Sequence, residues 1–194
     1  VGSSRYLTSA GEWAANATAN TSLFHIEIAA DPDATVVINA QIKAGDWTLV
    51  SGALDVNEIR LSVDRGTSGA GNVTIAAGAA LVSSATGTGG NTGVGRTTST
   101  SGGALTVNGR LVLKGSNPNI AMTTVNLAGT VEYAGANQTL ARATSGGAAP
   151  NFYSTLVLSN TGNKILGIPI TVTTRLVRGG TSSLAPGANT LTYG

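Results

Sequence analysis

The sequence predicts an all-β chain, a single-domain parallel (right-handed) β-helix or solenoid of about seven coils, with a β-sandwich as the alternative. Three observations predict it. Helix-favouring Lys, Glu, Gln and Met are scarce, while Val, Ile and Thr are common. Apolar and polar residues alternate over short runs punctuated by Gly, Asn, Ser or Pro, the period-two pattern of strands. Those runs recur at a spacing of roughly 20–22 residues, the mark of a stacked repeat.

Residues 1–22 carry Tyr6 and Trp13 but show no clear alternation. They are expected to cap the first coil, whose open edge would expose unpaired backbone, or to exchange with a neighbouring subunit. The solenoid domain is expected over 23–194. It opens on Phe24-His25-Ile26-Glu27-Ile28, in strict alternation. Spacing alone suggests Val37, Ile59 and Leu81 as the apolar anchors of the early coils, 22 residues apart each time. The stretch 83–103 is dominated by Gly, Ser and Thr, has almost no apolar side chains, and is expected to project as an inserted flexible loop.

Beyond it the pattern sharpens. Leu105 and Val107 lead through Asn108-Gly109-Arg110 to Leu111 and Leu113, and Val125 and Leu127 lead through Ala128-Gly129-Thr130 to Val131 and Tyr133. Ile170 and Val172 lead through Thr173-Thr174-Arg175 to Leu176. Leu111, Val131, Leu156 and Leu176 are then separated by 20, 25 and 20 residues, with a Gly- and Ala-rich insertion over 141–151. Like residues following in like order favour coils stacked in parallel. A sandwich would instead place two-residue Asn-Gly hairpins at regular positions.

Composition limits the chemistry. Gly, Thr and Ser number 27, 27 and 17, and charged residues are only 10% of the chain. There is no Cys, which excludes disulfides, thiolate nucleophiles and Cys-ligated metals. No apolar run approaches the ~18 residues of a membrane-spanning helix, and a net charge of +2 does not call for nucleic acid. The charges are unevenly placed. Residues 1–66 carry net −4, and residues 67–194 carry net +6, with Glu132 the one acid among them. The chain begins at Val1 without a charged and apolar leader, so the expectation is either that a signal peptide has been removed or that the chain has been trimmed. A composition rich in Gly, Thr, Ser and Asn and poor in Lys and Glu suits a secreted, extracellular, cell-surface protein.

Two stretches carry a resemblance. Tyr153-Ser-Thr-Leu156-Val-Leu158-Ser-Asn-Thr-Gly162-Asn-Lys164-Ile-Leu166 resembles the Y-x-x-L-x-L-S-x-x-G-x-K-x-L repeats of large secreted bacterial surface proteins. Leu105-Thr-Val107-Asn-Gly109-Arg-Leu111-Val-Leu113 is similar to the coils of β-helical adhesins. The resemblance covers 105–193 reasonably and 24–82 loosely. It implies an extracellular, solenoidal, structural or adhesive role and transfers no catalytic residue.

Candidate chemistry is sparse. His25, the single histidine, stands on the polar face of a strand and reads as a surface residue rather than the base of a triad. Asp31-Pro32-Asp33 reads as a turn rather than a Ca²⁺ site. Paired carboxylates of the kind glycoside hydrolysis needs are missing after residue 66. Gly87–Gly93 lacks the helix that a phosphate loop requires. The Thr171/Thr173 and Thr190/Thr192 pairs are too few for a flat Thr-x-Thr array. The expectation is therefore no catalytic, cofactor or metal site. The expected function is an extracellular structural subunit of a bacterial surface filament, layer or adhesin stalk, with itself as partner. Tyr6, Trp13, Trp47, Arg175 and Arg178 are the candidates for self-association or capping. The alternatives are a glycan-binding adhesin module and, less favoured, a β-helix polysaccharide-degrading enzyme.

Overall fold

The computed structural model describes residues 25–39, 43–59, 61–63, 71–85, 93–95, 102–140 and 150–194. Among them the chain is all-β and solenoid-like, and every strand pairing is parallel. The chain enters through β1 (His25–Ala29), β2 (Thr35–Val37), β3 (Lys43–Ala44) and the long β4 (Asp46–Asp55). It continues through β5 (Leu61–Val63), β6 (Val73–Ile75), β7 (Ala79–Ser83) and β8 (Gly93–Gly95). The middle comprises β9 (Gly102–Val107), β10 (Arg110–Leu113), β11 (Asn119–Asn126), β12 (Thr130–Tyr133) and β13 (Gln138–Leu140). The last five are β14 (Phe152–Leu158), β15 (Asn163–Leu166), β16 (Ile170–Arg178), β17 (Ser183–Ala185) and β18 (Leu191–Tyr193).

These strands form ladders that merge into a curled parallel sheet. One ladder runs β1, β4, β6, β9, β11. A second runs β2, β4, β7, β10, β12, β14, β16. A third joins β3, β5, β8 and β11, and a separate three-stranded ladder joins β13, β15 and β17. The antiparallel hairpins of a sandwich do not occur among the described residues. The corner Asn108-Gly109 joins β9 to β10, which pair with other strands and not with each other.

The register stacks like on like. Val36, Leu54, Leu81, Leu111, Val131, Leu156 and Leu176 are successive partners in the second ladder. Ile26, Trp47, Val73, Leu105 and Val125 do the same in the first. With strands about 4.8 Å apart, each inward side chain rests on its predecessor, and these columns fill the concave side of the sheet as one apolar core. Period-two alternation sends the intervening residues outward, which is why short β-branched runs suffice.

The late anchors Leu111, Val131, Leu156 and Leu176 stand where the spacing predicts. The early ones need correction: Leu54, not Ile59, is the partner of Leu81, and Val36, not Val37, precedes it. The chain turns after Val56 through Asn57, whose φ is 49°, so Ile59 falls on a corner and its apolar side chain mimics a strand anchor. Within the stretch 83–103, Gly93–Gly95 joins the third ladder; residues 86–92 and 96–101 lie outside the described residues.

Corners are tight for a stated reason. β4 passes from the first ladder to the second at Gly52, whose φ is 71° and where a Cβ would press on the Ala30 side chain and the Asp31 carbonyl. At Gly129 a Cβ would collide with the carbonyl oxygen of Gly109, one coil earlier. Glycine there lets consecutive corners approach closely enough to keep the ladder bonds.

The columns set the energetic hierarchy. Leu111→Ala, at a fully buried rung, is expected to lower the unfolding free energy by about 2–5 kcal/mol. Val157→Ala, on the outward face of the same ladder, is expected to cost about 1 kcal/mol or less. Urea unfolding of both variants checks the difference.

Candidate functional site

The residues with chemistry sit in three places. The outward column of the second ladder reads Val37, Asp55, Val82, Val112, Glu132, Val157, Val177. Glu132 is thus a carboxylate in a run of valines, and it is largely buried. Its Oε2 accepts from Arg110 Nε at 3.1 Å and also from Arg110 Nη2, and its Oε1 accepts from Ser159 Oγ at 2.5 Å. Burial by itself would raise its pKa; the hydrogen bonds from Ser159 and Arg110, with the charges of Arg110 and Lys114, outweigh that and hold it below the usual carboxylate range. Arg110 and Glu132 lie on the neighbouring strands β10 and β12, and Ser159 directly follows β14, the next in the ladder, so the trio stitches successive rungs together.

The second place is a corner of the core. Gln138 and Lys164 are ladder partners pointing inward, and Lys164 is 0% exposed. Lys164 Nζ donates to the Gly135 carbonyl, to the Ala136 carbonyl at 3.0 Å and to Gln138 Oε1 at 3.1 Å. Gln138 Nε2 in turn donates to the carbonyls of Leu113 at 2.8 Å and Gly115 at 2.7 Å. Carbonyl oxygens thus solvate the ammonium, while burial lowers its pKa. The lysine of the Gly162-Asn-Lys164-Ile-Leu166 motif is an internal tie between corners. Gln138, in Asn137-Gln138-Thr139-Leu140, is its counterpart one coil earlier. Beside it Asn137 Oδ1 accepts from Asn163 N–H at 2.9 Å.

Nearby, the buried hydroxyls of Tyr133 and Tyr153 share a 3.0 Å hydrogen bond inside the core. Burial, then the neighbouring phenol, push the Tyr153 pKa well up.

The third place is the surface. His25 Nδ1 lies 4.0 Å from Asp46 Oδ2 on the outside of the first ladder. Asp31-Pro32-Asp33 forms a turn closed by Ala34 N–H donating to the Asp31 carbonyl at 2.8 Å. Among the described residues no three His, Cys, Asp or Glu side chains are grouped as metal ligands. No described helix is long and apolar enough to cross a membrane.

Of the residues expected in self-association or capping, Tyr6 and Trp13 lie outside the described residues. Trp47 is no surface contact, because it is fully buried between Ile26 and Val73 in the first ladder. Arg175 and Arg178 are exposed on β16. That strand forms an open edge: β18 covers Ile170–Val172 only, and no described strand pairs with the outer side of Arg175–Arg178. Leu176, Leu184 and Leu191 are only partly covered there.

Two surface features were not read from the sequence. Glu27, Thr48, Thr74, Thr106 and Asn126 form an outward column along the first ladder. Separations of 26 residues from Thr48 to Thr74 and 32 from Thr74 to Thr106 hide it from any fixed period. Close by, Phe152 stands 63% exposed beside a groove of about 270 Å³. Comparison with protein-family models, curated proteins and solved structures finds no match for this chain.

The Glu132 cluster makes stability pH-dependent with a definite sign. A carboxylate whose pKa is lower folded than unfolded contributes stability present above the unfolded value and lost as the pH falls through the folded one. Acid titration is therefore expected to lower the melting temperature from about pH 4.5 downward, and Glu132→Gln is expected to flatten part of that fall. At pH 7 the substitution should cost roughly 1–2 kcal/mol, since it removes the charge from a hydrogen-bonded, largely buried carboxylate. Thermal melts of both proteins from pH 7 to pH 3 check this.

Proposed function

We propose that this chain is a closed right-handed β-helix of about seven coils and serves as an extracellular structural subunit of a bacterial surface filament, layer or adhesin stalk, joining end to end with copies of itself. The observation that carries the reading is the outer edge of β16, where Arg175–Arg178 have no outer strand among the described residues. Unpaired N–H and C=O groups on a strand edge are a template for another strand. The half-covered Leu176, Leu184 and Leu191 offer an apolar floor beside them.

Charge favours a second copy as the occupant. Arg175 and Arg178 flank the edge, and the late part of the chain carries net +6 against net −4 in residues 1–66. Glu27, Asp31, Asp33, Asp46, Asp55 and Glu58 all belong to the first strands and corners. A head-to-tail contact brings unlike charges together and, since it does not close on itself, propagates. The repetitive columns and the Arg110–Glu132 ion pair between rungs suit a load-bearing rod, and the Gly-, Thr- and Ser-rich composition suits an exported one.

Sedimentation and negative-stain microscopy across salt concentrations test the reading. Association into linear particles is expected at low salt and should weaken as ionic strength rises. The Arg175→Glu/Arg178→Glu pair and Arg178→Pro, which removes an N–H on the side away from β14, should each reduce it at least about tenfold. Monodisperse monomers under every condition would overturn the proposal, as would polymers indifferent to both sets of substitutions.

A further inference from the structure

The outward column of the first ladder is hydrophilic and ends at Asn126, and across a groove from it Phe152 projects from β14. Phe152 is the partner of Thr171, which in turn is the partner of Thr192, so an aromatic ring takes a place that threonine fills in the next two coils. It is among the most exposed large apolar side chains of the described residues, while its neighbour Tyr153 is buried. Burial does not account for an aromatic at this site, because nothing in the described chain covers it.

What surrounds the ring defines the chemistry. The groove of about 270 Å³ is lined by Asn126, Ala128, Ser154 and Thr173 together with Phe152 and the Tyr153 backbone strand. Among the described residues no Lys, Arg, His, Asp or Glu lines it. The small side chain of Ala128 leaves one side of the ring open, and Asn126 is exposed with both amide donor and acceptor. Ser154 Oγ and Thr174 Oγ1 are bonded at 3.2 Å, and Thr173 Oγ1 reaches the Tyr153 carbonyl at 3.4 Å, so hydroxyls are held in place at the groove margin with lone pairs to spare.

Backbone recognition is used up here. Ser154 N–H donates to the Leu127 carbonyl at 3.0 Å, and Thr171 N–H donates to the Asn151 carbonyl at 2.7 Å, so the strand at Phe152 is bonded on both sides. A peptide adding itself as a strand has no edge to join. Among the described residues an anion has no cation to meet, and a lipid surface would find one aromatic ring ringed by amides and hydroxyls. An aromatic face with neutral donors and acceptors at its rim matches a pyranose ring, whose C–H face is apolar and whose hydroxyls lie around the margin. The volume is slightly below the roughly 300–1,000 Å³ of ordinary small-molecule sites, which suits one ring rather than an enclosed oligosaccharide.

We propose that the groove around Phe152 is a binding subsite for one ring of an uncharged glycan, with Phe152 as the stacking platform and Asn126, Ser154 and Thr173 as the polar rim. This goes beyond the assembly reading and does not depend on it. Titration at high salt, on monomers, reads the groove whether or not copies associate.

The test is a ¹⁵N-detected titration with neutral glucose, mannose and galactose oligomers, and with galacturonate oligomers as the charged comparison. At least one neutral oligomer is expected to shift the amides of Asn126, Ala128, Ser154 and Thr173 with roughly millimolar affinity. Phe152→Ala should weaken that binding about tenfold or more, and Phe152→Trp should keep it. Because Phe152 is exposed, both variants should keep the parent spectrum elsewhere. No shift with any neutral oligomer at ten times the expected dissociation constant would overturn the proposal. So would binding that Phe152→Ala leaves unchanged, or binding of galacturonate as tight as that of the neutral sugars.

Discussion

Parallel hydrogen-bonded register is the constraint from which the other features follow. Once Leu111 is set opposite Val131, the residues on either side of both strands are committed as well, because the side-chain period is two. The apolar columns, the valine run that contains Glu132 and the threonine column of the first ladder are one set of pairings seen on different faces. A slip by one residue would carry every leucine of the second ladder outward. That cost, multiplied along the ladder, holds the corners in place even where glycine must lie against a carbonyl one coil away.

Polar groups within the frame serve the same end. Arg110 on β10, Glu132 on β12 and Ser159 just past the end of β14 are linked in succession on the outside. Lys164, Gln138 and the corner carbonyls do so on the inside, where an unpartnered ammonium would be very costly. The Tyr133–Tyr153 hydrogen bond resolves the same difficulty for two hydroxyls that the columns force into the core. In each case the polar atom is satisfied by a group from a neighbouring coil, which makes it a fastening between coils as well as a solved burial.

Much of this was legible in the residues. Alternation and the 20-residue spacing place Leu111, Val131, Leu156 and Leu176 correctly because the corners between them are short, and a short corner leaves little freedom in counting. The same spacing fails at Ile59, since a turn through Asn57 puts an apolar side chain on a corner, and counting cannot tell a corner leucine or isoleucine from a rung. Lysine reads as solvent-facing in any sequence, so the burial of Lys164 becomes visible only when the Gly135 and Ala136 carbonyls are seen converging on it. The groove at Phe152 stayed hidden for a related reason: Asn126 and Thr173 are 47 residues apart and meet only through the stacking of coils.

The unit from Leu111 to Thr130 begins and ends in the same register, with Arg110 opposite Thr130 and Leu111 opposite Val131. A gene duplication that copied those twenty codons would add one rung and leave the pairing above and below it intact. Loss of such a unit would likewise shorten the ladder without disturbing its phase. Length in this architecture is consequently open to change in whole steps, each new rung arriving with its glycine corner already in hand.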